Sequence, residues 1–389
     1  MKKLLFVSLL CLIVFKTKAQ EGEGQESNIE NRVITTGVPF LLIAADPRAA
    51  GMGDIGVATS ADAFSQQWNP AKYAFSLSKQ GIGVTYTPYL SQLVNDVFLG
   101  NLVYFNRLDE QSAVAGSLRY FSLGEIELRD TPDQEPLLVK PNELFLDLTY
   151  ALRLSERFSM AVTGRYLRSD LRIQASVEDA SAASSFAVDV SGYYQSEELA
   201  FNDFDGRWRA GFNISNMGPK LKYDQTGQES SLPINLGLGG GFDFILDEYN
   251  KIGTNVEINK LLVPTPSDSN GDGRIDREDD YYNQSFFSGM FSSFGDAPDG
   301  FSEELKEFTW ALGVEYWYQD SFAFRLGYFN ESEEKGSRKF ASLGAGFKYT
   351  TINIDISYLF STARVRSPLE GTLRFGLTFN FGDGEYDEY

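Results

Sequence analysis

The stretch Glu143-Leu-Phe-Leu-Asp-Leu-Thr-Tyr-Ala-Leu-Arg-Leu-Ser155 decides the fold class. Leu144, Leu146, Leu148, Tyr150, Leu152 and Leu154 share one parity; Asp147, Thr149 and Arg153 share the other. A period of two puts the two sets on opposite faces of an extended strand. The pattern recurs in Phe322, Phe324, Leu326 and Tyr328 against Ala323, Arg325 and Gly327. It recurs again in Ile352, Ile354, Ile356, Tyr358 and Phe360 against Asn353, Asp355 and Ser357. About fourteen such segments can be read, at 81–88, 96–107, 111–123, 143–155, 157–170, 186–195, 207–217, 232–246, 251–262, 308–318, 320–330, 339–349, 351–360 and 372–381. Most are longer than the roughly five or six residues of a globular strand and match the roughly nine to eleven that a tilted strand needs to cross a bilayer. An even number of long amphipathic strands predicts an all-β protein, a transmembrane antiparallel β-barrel of about 14 strands over residues 80–381.

The connections point the same way. Short turns around 108–110, 155–157, 247–250, 319–320 and 350–351 follow even-numbered strands; the one around 197–206 is longer. Long loops follow odd-numbered strands, including 124–142, 171–185, 218–231 and 263–307. Outer-membrane barrels place long loops outside and short turns in the periplasm, so both termini are expected to be periplasmic. The last strand sets Leu373, Phe375, Leu377, Phe379 and Phe381 against Arg374, Gly376, Thr378 and Asn380, and an acidic tail, 382–389, follows it. A soluble β-sandwich would have shorter strands and no strict alternation of connection lengths.

Composition excludes several functions. The 389 residues carry a net charge of −20, 31 Phe, 20 Tyr, one Cys and no His. Without histidine there is no Ser-His-Asp or Cys-His nucleophile system, and a hydrolase acting on lipid or protein loses its usual base. No catalytic residues are assigned, and none of the chain is expected to be an enzyme. The acidic balance argues against nucleic acid as a partner. Lys2 and Lys3 precede an apolar run from Leu4 to Phe15, and Thr17 and Ala19 fit a cleavage site before Gln20. Residues 1–19 are therefore read as a secretory signal peptide and 20–30 as a flexible lead-in. Cys11 lies inside the signal, with Leu10 before it rather than the small residue a lipoprotein signal needs.

Residues 31–79 precede the alternating region. Gly51-Met-Gly53-Asp-Ile-Gly56 matches G-x-G-x-x-G, but the dinucleotide reading needs a βαβ unit that this segment lacks. The better reading is a small-residue hatch packed inside the barrel, with Gly51, Gly53, Gly56, Asp62, Asn69 and Pro70 as its motif. The run DPRAAGMGDIGVATSADAFSQQWNPAKYA from Asp46, with VITTGVPFLLIA upstream and LVNDVFLG and LDEQSAVAGSLRYFSLGEI downstream, resembles the PorV (LptO) family of the Bacteroidetes type IX secretion system, a branch of the FadL-like outer-membrane proteins. The resemblance runs from about Asn31 to Phe381. It implies a fourteen-stranded outer-membrane barrel with an N-terminal hatch. It also implies partners: the SprA/Sov translocon, secreted cargo bearing a type IX C-terminal signal domain, the PorU sortase of the attachment complex, and outer-membrane lipid. The implied function is cargo shuttling from translocon to sortase; the alternative is a FadL-like channel for hydrophobic small molecules.

The longest loop holds two candidate sites. Asp268, Asn270, Asp272, Arg274 (through its carbonyl), Asp276 and Asp279 have the spacing of a calcium loop, with Gly273 at the sharp turn. Position twelve is Asp rather than the bidentate Glu of a full EF-hand, and no flanking helices are evident. A structural calcium ion is one reading and an acidic solvated loop the other. Farther on, Tyr281, Tyr282, Phe286, Phe287, Met290, Phe291 and Phe294 need cover from the barrel, lipid or a partner. They are read as a contact surface or as a cap over the barrel mouth.

Overall fold

The alternating segments form fourteen strands: β1 (Gln80–Pro88), β2 (Val97–Arg107), β3 (Ser112–Leu123), β4 (Asn142–Ser155), β5 (Phe158–Asp170), β6 (Ala183–Gln195), β7 (Asp205–Met217), β8 (Asn235–Ile245), β9 (Asn250–Leu261), β10 (Phe308–Tyr318), β11 (Phe322–Asn330), β12 (Lys339–Tyr349), β13 (Ile352–Ser361) and β14 (Leu373–Phe381). The computed structural model describes residues 32–382, apart from 92, 93, 95, 130–134, 172–181, 224–228, 277 and 364–366. The expected signal peptide, the lead-in and residues 383–389 of the acidic tail lie outside the described residues.

Each strand pairs antiparallel with its neighbour in the chain. β14 returns to β1 in register from Gln80↔Phe381 to Tyr86↔Phe375, which closes the barrel. The sheet is locally irregular where β7 meets β6. The register shifts between Ile214 and Met217, and Asn216 lies at φ 65°. The short-turn end carries the connections after β2, β4, β8, β10 and β12, and the long-loop end carries those after the odd strands. Two of the long loops fold into small hairpins, Ile126–Leu128 with Leu137–Val139 and Leu221–Lys222 with Glu229–Ser230.

Burial is inverted relative to a soluble protein. Leu148 is 66% exposed and Phe186 69%, whereas Asp147 is 1% and Arg325 2% exposed. Along each strand the apolar parity faces out and the polar parity faces the lumen. Rings gather at both ends of the outer wall. Tyr86, Phe98 and Tyr120 form a row toward the long loops, as do Tyr166 with Phe186 and Trp310 with Tyr328. Trp208 with Phe242, and Phe322 with Phe347 and Tyr349, lie toward the short turns. An apolar band between two aromatic girdles is how a barrel sits in a bilayer. Among the described residues no helix is long and apolar enough to cross one.

The chain departs from the sequence reading in the irregular segments. Residues 280–307 contain helices α3 (Asp280–Asn283), α4 (Phe286–Ser292) and α5 (Phe301–Glu304), where only loop was expected; before β1 lie α1 (Pro47–Ala50) and α2 (Ser65–Trp68). All are four to seven residues long, too short for helical periodicity to register.

Replacing Leu148 by Arg puts a charge at the middle of the lipid-facing wall, a change worth about 2–4 kcal/mol at the bilayer midplane. Folding in lipid vesicles, read by the gel shift between folded and heat-unfolded forms, should fall for Leu148→Arg and stay near wild type for Thr149→Ser on the lumen side. Equal folding of the two would argue against the assigned outer face.

Candidate functional site

The lumen is not empty. Residues 32–79 run inside it, and several of their polar groups bond directly to the wall. Asp46 caps α1, accepting from Arg48 N at 2.8 Å and Ala49 N at 3.2 Å. The Arg48 side chain then donates to both oxygens of Glu315 on β10, at 2.9 and 2.7 Å, and to Asp62 at 2.8 Å. Arg325 on β11 shares the same Glu315 at 2.7 Å and reaches Asp355 on β13 at 2.6 Å. One wall carboxylate thus sits between a hatch guanidinium and a wall guanidinium.

The glycine motif has a packing role. Gly53 stands at φ 82° and a Cβ there would meet the Tyr328 backbone at 3.0 Å; a Cβ on Gly327 of β11 would lie 2.0 Å from Met52 C. Hatch and wall backbones touch directly, which side chains would prevent. A Cβ on Gly51 would press on Gly344 of β12 at 2.9 Å. The N–H groups of Gly56 and Val57 both donate to Glu257 on β9, at 2.9 and 2.8 Å. Asn69 accepts from Ala71 N and donates to Val57 O at 2.9 Å and to Gly192 O of β6 at 3.0 Å, while Pro70 opens the following 3-10 turn. All six expected hatch residues therefore lie in the region that anchors 32–79 to the wall.

Above the hatch lies a cavity of about 630 Å³, bounded by Val33, Ile34, Thr36 and Pro39–Ala44 and by wall residues including Arg119, Phe121, Glu143, Phe145 and Glu257. Its apolar side belongs to the cluster of Val38, Phe40, Leu41, Phe121, Phe145, Leu232 and Met290. This cluster joins the hatch, the wall and the long loop.

The long loop closes over that cluster. Its acidic residues do not converge on one point among themselves but on their own backbone. Asp268 accepts from Gly271 N at 2.7 Å and Gly273 N at 2.8 Å; Asn270 from Asp272 N at 2.9 Å; Asp272 from Arg274 N at 2.8 Å; Asp276 from Glu278 N at 2.9 Å. Asp279 is buried and accepts from Asp276 N and Ser269 N, which hold its carboxyl below the ordinary carboxylate range. The carboxylates that do converge are Asp296, Glu304 and Glu307, which the sequence reading did not single out. Lys260 lies among them, 2.6 Å from Glu304 and 2.7 Å from Glu307, and Lys335 bridges Glu303 and Glu307 at 2.7 and 3.0 Å. Burial pushes the Asp296 carboxyl up. Burial pushes Glu303 up as well, but Lys335, the Asp299 N–H and Arg32 together outweigh it and the net shift is down.

The expected contact residues divide. Met290 is buried and Phe286 half-buried in the cluster over the mouth. Tyr282 is tied to the neighbouring hairpin, accepting from Lys220 through its carbonyl and from Glu229 N through its hydroxyl, and Tyr281 packs beside it. Phe287, Phe291 and Phe294 are exposed, the first two in edge contact at 5.2 Å. Phe301, 76% exposed, and Leu305 extend the same uncovered apolar set. Phe301 closes the 281–301 stretch whose aromatic part the sequence marks as a contact surface, and Leu305 lies beyond it.

Fold and lumen together define a plugged outer-membrane β-barrel of FadL-like architecture. The chain belongs to the PorV family: the model of the type IX secretion system protein PorV matches residues 26–268. Among solved structures it resembles a deletion mutant of the TodX monoaromatic hydrocarbon channel, at TM-score 0.51 and 9% identity over 86% of this chain and 98% of that one. The Pseudomonas putida toluene transporter TodX follows at TM-score 0.48 and 9% identity, over 85% and 95%. A Pseudomonas aeruginosa FadL homologue gives 0.45 and 11%, over 87% and 99%. At such identities the likeness concerns the fold. No curated protein matches the chain.

Glu315→Ala leaves Arg48 and Arg325 buried beside each other without their shared carboxylate, a loss of about 3–5 kcal/mol. Hydrogen exchange should rise over residues 46–62 while the barrel strands stay protected. Unchanged exchange in the hatch would show that these ion pairs do not hold it.

Proposed function

We propose that this protein is a non-enzymatic outer-membrane component of type IX secretion that binds the C-terminal signal domain of cargo and carries it from the SprA/Sov translocon to the PorU attachment complex. Membership of the PorV family supports the secretion role. The observation that carries the binding step is the uncovered set Phe287, Phe291, Phe294, Phe301 and Leu305 on the long-loop cap. Apolar area of this kind on an otherwise polar rim marks an interaction site, and aromatic anchors dominate protein interfaces. With both termini in the periplasm, this cap faces outward, where exported cargo emerges. The lipid-facing wall lets the protein diffuse in the membrane between its two partners.

The calcium reading belongs to the same cap. Calcium at Asp268, Asn270, Asp272, the Arg274 carbonyl, Asp276 and Asp279 fixes the base of the loop that presents the phenylalanines. Support comes from the spacing and from Gly271 and Gly273 at φ 77° and 82°, which turn the chain sharply between the acidic residues. A second reading, a channel for hydrophobic small molecules, is favoured by the cavity of about 630 Å³ alone.

Affinity purification in mild detergent tests the main reading. The wild-type protein should recover a very large barrel protein or secreted cargo. Phe287→Ser/Phe291→Ser/Phe294→Ser should lose them while still folding. Recovery by the triple variant at the wild-type level would remove the phenylalanines from the interface, and a wild-type barrel isolated alone would weigh against the secretion role.

Calcium in the millimolar range typical of extracellular modules should slow protease cleavage within 268–279. Asp268→Ala/Asp272→Ala should abolish the protection. Cleavage that ignores calcium would leave the loop as solvated acid.

A further inference from the structure

We infer that the long-loop cap meets a polypeptide whose own contact surface is basic around an apolar centre, and that acids flanking the phenylalanines select it. The inference rests on the capture reading above and names the chemistry of the partner at that same face.

Residues 263–307 carry eleven Asp and Glu against three Lys and Arg, a net charge of −8. Folding sharpens the imbalance at the surface, because the bases around the loop are drawn inward or already engaged. Lys260 is 1% exposed and lies against Glu304 and Glu307; Lys335 is 8% exposed and holds Glu303 and Glu307. Lys306 pairs with Glu334, and Lys220 donates to the Tyr282 carbonyl. Arg274 is the one described base of the loop that faces solvent unpaired, and along the chain it lies among Asp268, Asp272 and Asp276. Outside the calcium spacing, Glu278 and Asp280 are exposed, and among the described residues no ion pair reaches either carboxylate. They stand just ahead of α4. Asp299, exposed despite its contact with Arg32 at 3.1 Å, lies between Phe294 and Phe301. Acid therefore flanks the ring set on both sides along the chain. Calcium at the loop base takes the loop to −6 and leaves its sign.

An apolar set inside a field of one sign selects its partner by sign. Two occupants are disfavoured on that ground. A second copy of this chain would bring the same acids against their own kind, and the phosphate-bearing headgroups of a membrane surface share their charge. A polypeptide with Lys or Arg around apolar side chains is complementary in both respects. The rings then supply the buried centre and hold the complex together, while the exposed acids at the rim steer the encounter.

The test uses the full-length barrel immobilised in non-ionic detergent, with a detergent-only surface as baseline and biolayer interferometry as the readout. The probes are an amphipathic leucine–lysine peptide, its leucine–glutamate counterpart and a serine–lysine control of the same length. With the wild type, the leucine–lysine peptide should associate about tenfold faster than the leucine–glutamate peptide at low salt. That advantage should vanish near 1 M salt, where the screening length is about 3 Å. The serine–lysine control should dissociate faster than the leucine–lysine peptide. Phe287→Ser/Phe291→Ser/Phe294→Ser should speed dissociation of the leucine–lysine peptide and keep the salt dependence of its association. Glu278→Lys/Asp280→Lys should slow association of the leucine–lysine peptide and speed that of the leucine–glutamate peptide, a gain that a misfolded barrel cannot produce. Equal association of the two leucine peptides with the wild type, or a preference unchanged by the reversed charges, overturns the inference. A wild-type barrel that cross-links to a second copy, with the dimer lost in the triple phenylalanine variant, overturns it too, because the face then serves the same chain. Selection by sign that holds while affinity purification recovers no secretion partner removes the secretion role and leaves the basic partner standing.

Discussion

Every peptide group in the hydrocarbon layer must find its hydrogen-bond partner within the protein. For a sheet, this leaves closure as the solution, and the pairing of β14 with β1 supplies it. Closure then divides the side chains. The outward parity meets lipid and is apolar, while the inward parity meets a lumen that is too narrow to remain a bulk-water channel once chain 32–79 runs through it. Asp147, Arg165, Arg325 and Asp355 are buried for that reason, and each must find a counterion.

The hatch is therefore held by polar matching as much as by apolar packing. Glu315 bridges Arg48 and Arg325, Glu257 receives two backbone N–H groups, and Asn69 ties the hatch to β6. Such pairs contribute little net stability relative to apolar replacements, but removing one partner strands the other. They set register and orientation beside the apolar clusters around Tyr73 and Phe105 and around Met52 and Phe329. Toward the long loops the chemistry changes: Phe40, Phe121, Phe145 and Met290 make an apolar roof, and the cavity lies at the boundary of the two regimes.

The long loop combines rigidity with exposure. Its salt bridges among Lys260, Lys335, Glu303, Glu304 and Glu307 fasten it to the rim, and Met290 anchors α4 from below. The opposite side of α4 holds Phe287 and Phe291 clear of the barrel. A fastened loop presenting apolar rings loses little conformational entropy on meeting a partner.

Strand positions were legible because alternation is a local property. The segments read at 308–318 and 339–349 coincide with β10 and β12. β6 begins at Ala183, ahead of the expected 186, because Ala183 and Ser185 offer no apolar contrast with their neighbours. The small-residue character of the hatch was legible too, but the reason for Gly51 and Gly53, contact with Gly344, Gly327 and Tyr328, depends on chain nearly three hundred residues away, whereas Gly56 makes room for nearby Trp68. Consecutive acids at 268–279 were visible as a spacing; Asp296, Glu304 and Glu307 converge only after α5 folds back toward β9. The sequence by itself determined that alternate side chains had to face lipid and lumen, since period and composition are carried by neighbouring residues. Which charges meet across the lumen and which rings remain uncovered were decided only by the tertiary structure, because those contacts join strands that the linear order keeps far apart.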